Sequence, residues 1–275
     1  MAWWGKFIGG AFGFMLGGPL GALMGAALGH QFDKGMDGLP DDGIGFDEGD
    51  KERVQAAFFT ATFSVMGCVA KADGKVSKDE ISLAESVMDE MELTADMRRT
   101  AINLFNEGKS PEFPLDDVVE QFRHECHRRQ TLMQMFLEVQ LQAAYADGVM
   151  DTAEAEVLSH ICSLLGFSEF DFRRLERKVQ AERHYAGGDY KREERSGSRD
   201  YRAAPTLSDA YDVLGVMESA TDAEVKKAYR RQMSQHHPDK LVSKGLPEEM
   251  MKMAEQKTKE IKQAYDQIKS ARGIR

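Results

Sequence analysis

Apolar residues recur at steps of three and four positions over much of the chain between residues 51 and 182. This spacing places them on one face of a helix, and no alternating strand pattern of any length occurs in the region. In the stretch AAFFTATFSVMGCVAKADG the apolar face comprises Phe58, Phe59, Phe63, Met66 and Val69. In the stretch LMQMFLEVQLQAAYADG it comprises Met135, Phe136, Val139, Ala143 and Ala146. The pattern predicts an all-α domain.

The helical region contains an internal repeat whose two copies lie 74 residues apart. The copies are Lys71–Gly74 followed by Ser77 and Glu80, and Tyr145–Gly148 followed by Asp151 and Glu154. Ser or Asp with Glu three residues later predicts a capped helix start, and each glycine predicts a positive φ at the preceding helix end. The Asp-Gly loops lack the EF-hand series of ligands, so a structural helix-turn-helix is favoured over the alternative of calcium binding.

The first part of the chain carries 23 residues without a formal charge, from Phe7 to Gly29. At about 1.5 Å per residue a helix of this length reaches about 34 Å, enough to cross a hydrocarbon core of roughly 30 Å. The run therefore predicts a single transmembrane helix within an anchor at residues 1–34, with a cleaved export signal as the alternative. Pro19 is expected to kink the helix near its middle.

A glycine returns at every fourth position of this uncharged run. Small residues at that spacing leave a groove on one helix face and let two membrane helices approach closely. We therefore predict a homodimer, with a glycine-rich helix that only anchors the chain as the alternative. The predicted dimer face comprises Gly9, Gly13, Gly17, Gly21 and Gly25.

Two further stretches lack an apolar period and predict connections between domains. Residues 35–50 are acidic and rich in glycine, which is typical of a solvated tether. Residues 181–205 mix glycine with charges of both signs, which is typical of a flexible linker. The chain of 275 residues is therefore expected to hold a helical domain at 51–180 and a smaller domain at 206–275.

The smaller domain has strong signals for the ends of two helices. Thr206–Asp209 supplies N-cap chemistry for a short helix that runs from Asp209 to Leu214 and ends at Gly215. Thr221–Glu224 has the residues of a capping box that opens a second helix. This helix is expected to end before Pro238, because proline disfavours the helical conformation of the residue before it.

A third helix is expected from near Pro247 to about Ser270, since proline suits the first helical position. The second and third helices each have an apolar face, so the two should pack as a hairpin. The inward positions are Val225, Ala228, Tyr229, Met233, Met250, Ala254, Ile261, Ala264, Tyr265 and Ile268.

The second helix also has a basic face that leads into the motif His237-Pro238-Asp239. The basic residues cluster on one side of the helix and are Lys226, Lys227, Arg230 and Arg231. Such a face beside a rigid loop is typical of a docking surface for an acidic patch, with fast and transient binding. A plain helix-ending turn is the alternative. A His237–Asp239 catalytic dyad lacks a nearby nucleophile, so no enzyme activity is predicted.

Four motifs in this order resemble the J-domain of DnaJ: DAYDVLGV, EVKKAYRR, HPDK and KEIKQAYDQI. The resemblance implies that the domain binds a DnaK-type ATPase chaperone and that the HPD loop triggers ATP hydrolysis by this partner. It assigns the trigger to His237, Pro238 and Asp239, and the steering and holding of the partner to the four basic residues. Gln232 departs from the leucine that is usual in this family.

Composition and charge exclude other classes of function. The formal net charge of −10 leaves no broad basic surface, which excludes nucleic acid as a partner. Cys68, Cys126 and Cys162 form no CxxC pair, which excludes a disulfide framework and favours a reducing compartment. The best candidate for a metal site is His124–His127, but adjacent residues point to different helix faces, so no metal and no cofactor are predicted.

The repeated hairpins of residues 51–180 are similar to the TerB-type all-α domain of tellurite-resistance proteins, a resemblance that implies no catalytic residues. A membrane span, a TerB-type domain, a linker and a J-domain in this order resemble the membrane-anchored DnaJ-like co-chaperones of Gram-negative bacteria. Trp3–Lys6 and Gly29–Lys34 extend this resemblance to the anchor. It implies a co-chaperone that recruits its partner to the inner membrane.

The chain topology follows from the partner of the J-domain. Because that partner needs ATP, the C-terminal domains are expected in the cytoplasm and the short N-terminus in the periplasm. Lys6 on one side of the uncharged run, against Lys34, Lys51 and Arg53 on the other, favours the same orientation slightly. A membrane scaffold or signalling protein that acts mainly through the TerB-like domain is the alternative function.

Overall fold

The computed structural model of the chain describes residues 17–28, 46–76, 78–127, 129–145, 148–189, 205–247 and 250–274. The described residues form α-helices, one short helical turn at Met250 and no β-strand. This confirms the predicted all-α fold class. The helices are α1 (Gly18–Leu28), α2 (Phe46–Val69), α3 (Lys78–Glu90), α4 (Ala95–Gly108), α5 (Leu115–Glu125), α6 (Gln130–Ala144), α7 (Thr152–Leu164), α8 (Glu169–Asp189), α9 (Leu207–Leu214), α10 (Asp222–Gln235), α11 (Pro238–Ser243) and α12 (Met251–Arg272).

The described residues divide into two compact units. The first unit contains the described residues up to Phe167 together with the segment Val242–Met251. The second unit contains Ser168–Leu241 and the described residues from Lys252 onward. The basic face and the HPD motif both lie in the second unit.

Helix α2 is the centre of the first unit. The helices α4, α5, α6 and α7 all pack against it, so its apolar and small side chains are buried on every side. Phe58 lies in an aromatic cluster, with its ring centroid 5.9 Å from that of Phe122 and 6.4 Å from that of Phe136. The inward residues predicted for the two repeated helices are buried, except Ala146, which lies outside the described residues.

Two glycines let α2 and α4 cross in close contact. A Cβ atom added to Gly67 would lie 2.0 Å from the carbonyl oxygen of Phe105. A Cβ atom added to Gly108 would lie 1.8 Å from the carbonyl oxygen of Ser64. Neither distance is sterically possible, so the crossing requires glycine in both helices.

The second copy of the repeat has the capping geometry that the sequence predicts. The backbone N–H of Glu154 donates to Oδ1 of Asp151, and the backbone N–H of Asp151 donates to Oε2 of Glu154, each at 2.9 Å. Gly74 and Gly148 both have a positive φ, as predicted. In the first copy, Ser77 and the side chain of Glu80 lie outside the described residues.

The three cysteines are free, with Cys126 and Cys162 buried and Cys68 partly buried. Burial raises the pKa of the Cys68 thiol to about 11 and raises the pKa of Cys126 further. The side chains around Cys126 point in different directions, since His124 and His127 are exposed while Glu125 pairs with a neighbouring arginine. In the part of the chain that the structure describes, no group of three or more His, Cys, Asp or Glu side chains is placed to hold a metal ion.

Helix α1 lies in the second half of the uncharged run and belongs to the first unit. No helix within the described ranges is long and apolar enough to cross a membrane. Pro19 lies in the first turn of α1, where proline is tolerated, so in the described helix it does not cause the expected mid-helix kink. Of the predicted dimer face, Gly9 and Gly13 lie outside the described residues, while Gly17 is exposed, Gly21 is buried and Gly25 is half-buried.

The second unit is built around the apolar faces of α9, α10 and α12. Helix α8 continues to Asp189, which lies within the range 181–205 for which the sequence predicts a linker. It continues because Ala181 and Tyr185 are buried in the core of this unit. The other buried residues of the core are Ala210, Tyr211, Val213, Leu214, Val225, Ile261, Ala264 and Ile268.

Candidate functional site

The short helix α9 begins with a capping box. The backbone N–H of Asp209 donates to Oγ1 of Thr206 at 3.1 Å, and the Thr206 N–H donates to Oδ2 of Asp209 at 2.7 Å. The helix therefore starts at Leu207, two residues before the predicted start. It ends as predicted at Gly215, whose φ is 66°.

Helix α10 carries the basic face and is also capped as the sequence predicts. The Thr221 N–H donates to Oε2 of Glu224 at 2.7 Å, and the Glu224 N–H donates to Oγ1 of Thr221 at 3.3 Å. The carboxylate of Glu224 accepts hydrogen bonds from the N–H and from the hydroxyl of Thr221, and these two bonds lower the pKa of Glu224. Val225 and Ala228 are buried on the inner side of the helix.

The basic residues lie on the solvent side of α10. Lys227, Arg230 and Arg231 are exposed, and Lys226 is half-buried. The four cations therefore share one accessible side of a helix whose other side is fixed by the core. This geometry can present several positive charges at once to a negatively charged partner surface.

The HPD motif follows directly after α10 and is accessible to solvent. The side chain of His237 is 51% exposed and that of Asp239 is 86% exposed. Pro238 opens the six-residue helix α11, so the segment predicted as a loop is partly helical, and proline at the first helical position explains this start. Leu241 in the same short helix is fully buried.

The distance from Nδ1 of His237 to Oδ2 of Asp239 is 4.0 Å. This is too long for a hydrogen bond, so the carboxylate does not orient the imidazole as it would in a catalytic dyad. The two side chains are instead displayed separately, on either side of a proline that restricts the backbone. The motif is therefore suited to contact with a partner.

Helix α12 supports α10 from the inner side of the hairpin. The rings of Tyr229 and Tyr265 stack with centroids 4.1 Å apart and an angle of 15° between their planes. The helix begins at Met251, later than the predicted start near Pro247, and ends at Arg272, two residues past the predicted end. The stack fixes the position of the helix that carries the basic face.

Arg272 is a positioning residue for which the sequence contains no signal. Its Nε donates to the hydroxyl of Tyr211 at 2.6 Å, and its guanidinium lies 5.0 Å from the centre of the Tyr211 ring. Its Nη1 and Nη2 donate to the carbonyl oxygens of Ala220 and Glu218, each at 2.6 Å. The end of α12 is thereby tied to α9 and to the segment that leads into α10.

A buried group of four charged residues links α8 to α12. Nζ of Lys257 lies 2.6 Å from Oε2 of Glu182, and Nζ of Lys178 lies 3.6 Å from Oε1 of Glu182. Glu260 is buried beside them and accepts a hydrogen bond of 3.0 Å from Nε2 of Gln256. Burial, together with the negative charge of Glu182, raises the pKa of Glu260 to about 7.

Two further polar contacts hold α8 against the unit. Nδ1 of His184 lies 3.0 Å from Oδ2 of Asp209, the acid that caps α9. The hydroxyl of Tyr185 donates to the side chain of Gln267. The sequence did not indicate these pairings, because their members lie between 25 and 82 residues apart along the chain.

Gln232 lies on the inner side of α10, at the position where the J-domain family usually has leucine. Its side chain is buried, and its Oε1 accepts no hydrogen bond from the described residues. A buried acceptor without a donor destabilises the folded state. Glutamine in place of leucine at position 232 is therefore expected to lower the stability of the hairpin.

Comparison with known proteins identifies three matching family profiles. They are described as "Co-chaperone DjlA transmembrane domain" at residues 1–39, "Tellurite resistance protein TerB" at 59–177 and "DnaJ domain" at 209–273. Full-length relatives include "Co-chaperone protein DjlA" of Photobacterium profundum, 46% identical over 99% of this chain and 100% of the relative. The protein of the same name from Coxiella burnetii is 46% identical over 100% of both chains. No solved structure matches.

Proposed function

We propose, because the chain belongs to the DjlA family of membrane-anchored co-chaperones, that its J-domain stimulates ATP hydrolysis by a cytosolic DnaK-type chaperone and recruits it to the inner membrane. The observation that carries this proposal is the exposed basic side of α10 directly before the exposed HPD motif. The protein itself catalyses no covalent step in this scheme.

The basic side of α10 supports the first step, which is encounter with the chaperone. Lys227, Arg230 and Arg231 present their charges to solvent from a helix held by the core. Complementary charge accelerates association, whereas exposed charge pairs add little affinity, so binding should be fast and transient. Such kinetics suit a co-chaperone that must release its partner after each cycle.

The HPD motif supports the second step, which is the trigger. Asp239 is the most exposed charged group of the motif and is available to a cationic group of the partner. Pro238 restricts the backbone at the start of α11, and Leu241 in the same helix is fully buried. The motif therefore meets the partner with little loss of conformational entropy.

The membrane location completes the scheme. A partner that hydrolyses ATP places the C-terminal domains in the cytoplasm and the short N-terminus in the periplasm. Close approach of two anchors through Gly9, Gly13, Gly17, Gly21 and Gly25 would pair two J-domains beside the bilayer. Crosslinking of the full chain in vesicles measures this dimer, and replacement of Gly13 and Gly17 by leucine should abolish it.

The trigger is tested with the full chain reconstituted in vesicles and a DnaK-type chaperone in single-turnover ATP hydrolysis. His237→Gln and Asp239→Asn should each remove the stimulation, whereas Asp266→Asn, on the exposed side of α12, should retain it. Full stimulation by either HPD variant would overturn the proposal. A cellular phenotype that persists after stimulation is lost would instead favour a scaffold that acts through the TerB-like domain.

A further inference from the structure

Helix α1 lies on a surface of the first unit formed by α2, α4 and α5. Its buried face is apolar and comprises Leu20, Leu23, Met24 and Ala27. Leu20 and Met24 have no exposed surface, so the contact is as complete as that of core residues. About half of the uncharged run therefore has a protein environment in this structure.

Two amide side chains bind the backbone at the two ends of α1. At the start, Oε1 of Gln121 accepts from the N–H of Leu20 at 2.8 Å, and Nε2 of Gln121 donates to the carbonyl oxygen of Gly17 at 3.0 Å. At the other end, Nδ2 of Asn103 donates to the carbonyl oxygen of Ala27 at 2.8 Å. Free N–H and C=O groups at helix ends need such partners, and here the first unit supplies them.

The backbone at the start of α1 is also shaped by this contact. Gly17 and Gly18 have φ values of 57° and 56°, in the left-handed region that glycine adopts without strain. A Cβ atom added to Gly18 would lie 2.9 Å from Oε1 of Gln121. Glycine at positions 17 and 18 therefore allows the left-handed backbone, and glycine at position 18 also leaves space for the side chain of Gln121.

The docked arrangement and a membrane-spanning helix exclude each other. When residues 17–28 lie on the first unit, the uncharged run retains only Phe7–Leu16. Ten residues reach at most about 15 Å as a helix, half of a hydrocarbon core of roughly 30 Å. A helix through the whole run would also need right-handed backbone at Gly17 and Gly18.

We propose that the surface of α2, α4 and α5 is an intramolecular binding site for residues 17–28, occupied while the anchor is outside the bilayer and vacated when the anchor inserts. The inference rests on the proposed function, which requires the inserted form. Occupation of the site shields Leu20, Leu23 and Met24 from water. Insertion transfers the same residues to lipid and uncovers Gln121 and Asn103 beside the membrane.

The site is tested by crosslinking two exposed cysteines, Ala26→Cys beside Ala27 and Asn106→Cys one turn from Asn103, with a bifunctional maleimide, so that the hydrogen bond from Asn103 to Ala27 is kept. The full chain is synthesised without lipid or with vesicles of phosphatidylethanolamine and phosphatidylglycerol. The native thiols are poor competitors, because burial raises the pKa of Cys68 to about 11 and that of Cys126 further, and because Cys162 is buried. We expect an intramolecular crosslink without lipid and its loss in vesicles, with no crosslink in either single-cysteine chain.

Variants at the start of α1 test whether the crosslink depends on the specific contacts of this site or on nonspecific association of an apolar segment with the protein. Gly18→Ala should lower the yield of the lipid-free crosslink about five- to tenfold, because alanine is strained at a φ of 56° and because its methyl group displaces the Gln121 amide from its hydrogen bonds to α1. Gly25→Ala is the matched control, since its added Cβ meets nothing within 4 Å. Gln121→Ala should act like Gly18→Ala, and Gln130→Ala, an exposed glutamine of α6, should have no effect.

Equal crosslinking with and without vesicles would overturn the proposal, as would equal yields from Gly18→Ala and Gly25→Ala. Two separate measurements report on the function itself. Flotation of the chain with vesicles tests the anchor, and stimulation of the chaperone tests the J-domain. Either of these can fail while the lipid-free crosslink persists, so the failures are distinguishable.

Discussion

The two units hold their helices together by different means. In the first unit, the central helix α2 is surrounded by apolar and aromatic side chains and crosses α4 at two glycines. In the second unit, a smaller apolar core is joined by buried ion pairs and by the hydrogen bonds of Arg272. A small unit buries little apolar surface, so polar contacts contribute more of its stability. The first unit should therefore respond to changes of volume and the second to changes of charge.

The largest effect is expected from Lys257→Met in the second unit. The change removes the closer cation of the buried Glu182 carboxylate, at 2.6 Å, and leaves Lys178 at 3.6 Å, so it should destabilise the unit by about 3 kcal/mol. Lys259→Met, on the exposed side of the same helix, is the control. Hydrogen exchange of the full chain, read by mass spectrometry, should show faster exchange in peptides of the second unit only. Faster exchange in both units would break the comparison.

A change of volume should produce the reverse pattern. Gly108→Ala forces a methyl group against the carbonyl oxygen of Ser64 and should destabilise the first unit by about 2–3 kcal/mol. The same exchange experiment should place the effect in α2 and α4, with the second unit unchanged. Gly25→Ala, where the added methyl group has space, is the control. An unaltered first unit would mean that the glycine crossing is not required.

The pH dependence of the second unit should follow Glu260. Its pKa is raised from 4.5 to about 7 in the folded state, so the folded unit binds more protons than the unfolded chain between these values. The stabilisation is complete below pH 4.5 and is lost as the pH rises through about 7, a change of up to about 3 kcal/mol. Urea denaturation at several pH values measures it.

Glu260→Gln is the matched variant for this pH dependence. It keeps the size of the side chain and cannot ionise beside Glu182, Lys257 and Lys178. The loss of stability between pH 5 and pH 7 should therefore become smaller in this variant. An unchanged slope would show that other groups in the unit set the pH dependence.

The smallest effect is expected from Gln232→Leu. The change replaces a buried acceptor that lacks a donor with the leucine usual at this position of a J-domain. Removing an unsatisfied polar group from the core should stabilise the hairpin by about 1 kcal/mol. The urea midpoint of the second unit should rise, with stimulation of the chaperone retained. A lower midpoint would show that the Gln232 amide has a structural role.

Much of the candidate site could be predicted from the sequence because its signals are local. Thr206, Thr221 and Gly215 determine helix ends through hydrogen bonds and backbone angles within a few residues. The exposed basic side of α10 follows from helical spacing alone. The sequence did not predict that α8 continues past residue 180, because the charged residues there are typical of a solvated linker. Only the fold shows that Glu182 is buried and paired with Lys257, which lies 75 residues later in the chain.

The sequence by itself determined the all-α class, the order of the domains, the capping boxes that open α9 and α10 and the position of the HPD motif after the basic helix. These features depend on periodicity and on contacts between near neighbours in the chain. Only the tertiary structure decided the glycine crossing of Gly67 and Gly108, the clamp of Arg272 and the site occupied by α1. Each of these joins residues more than 35 positions apart, where packing and hydrogen bonding depend on the fold and leave no period in the sequence.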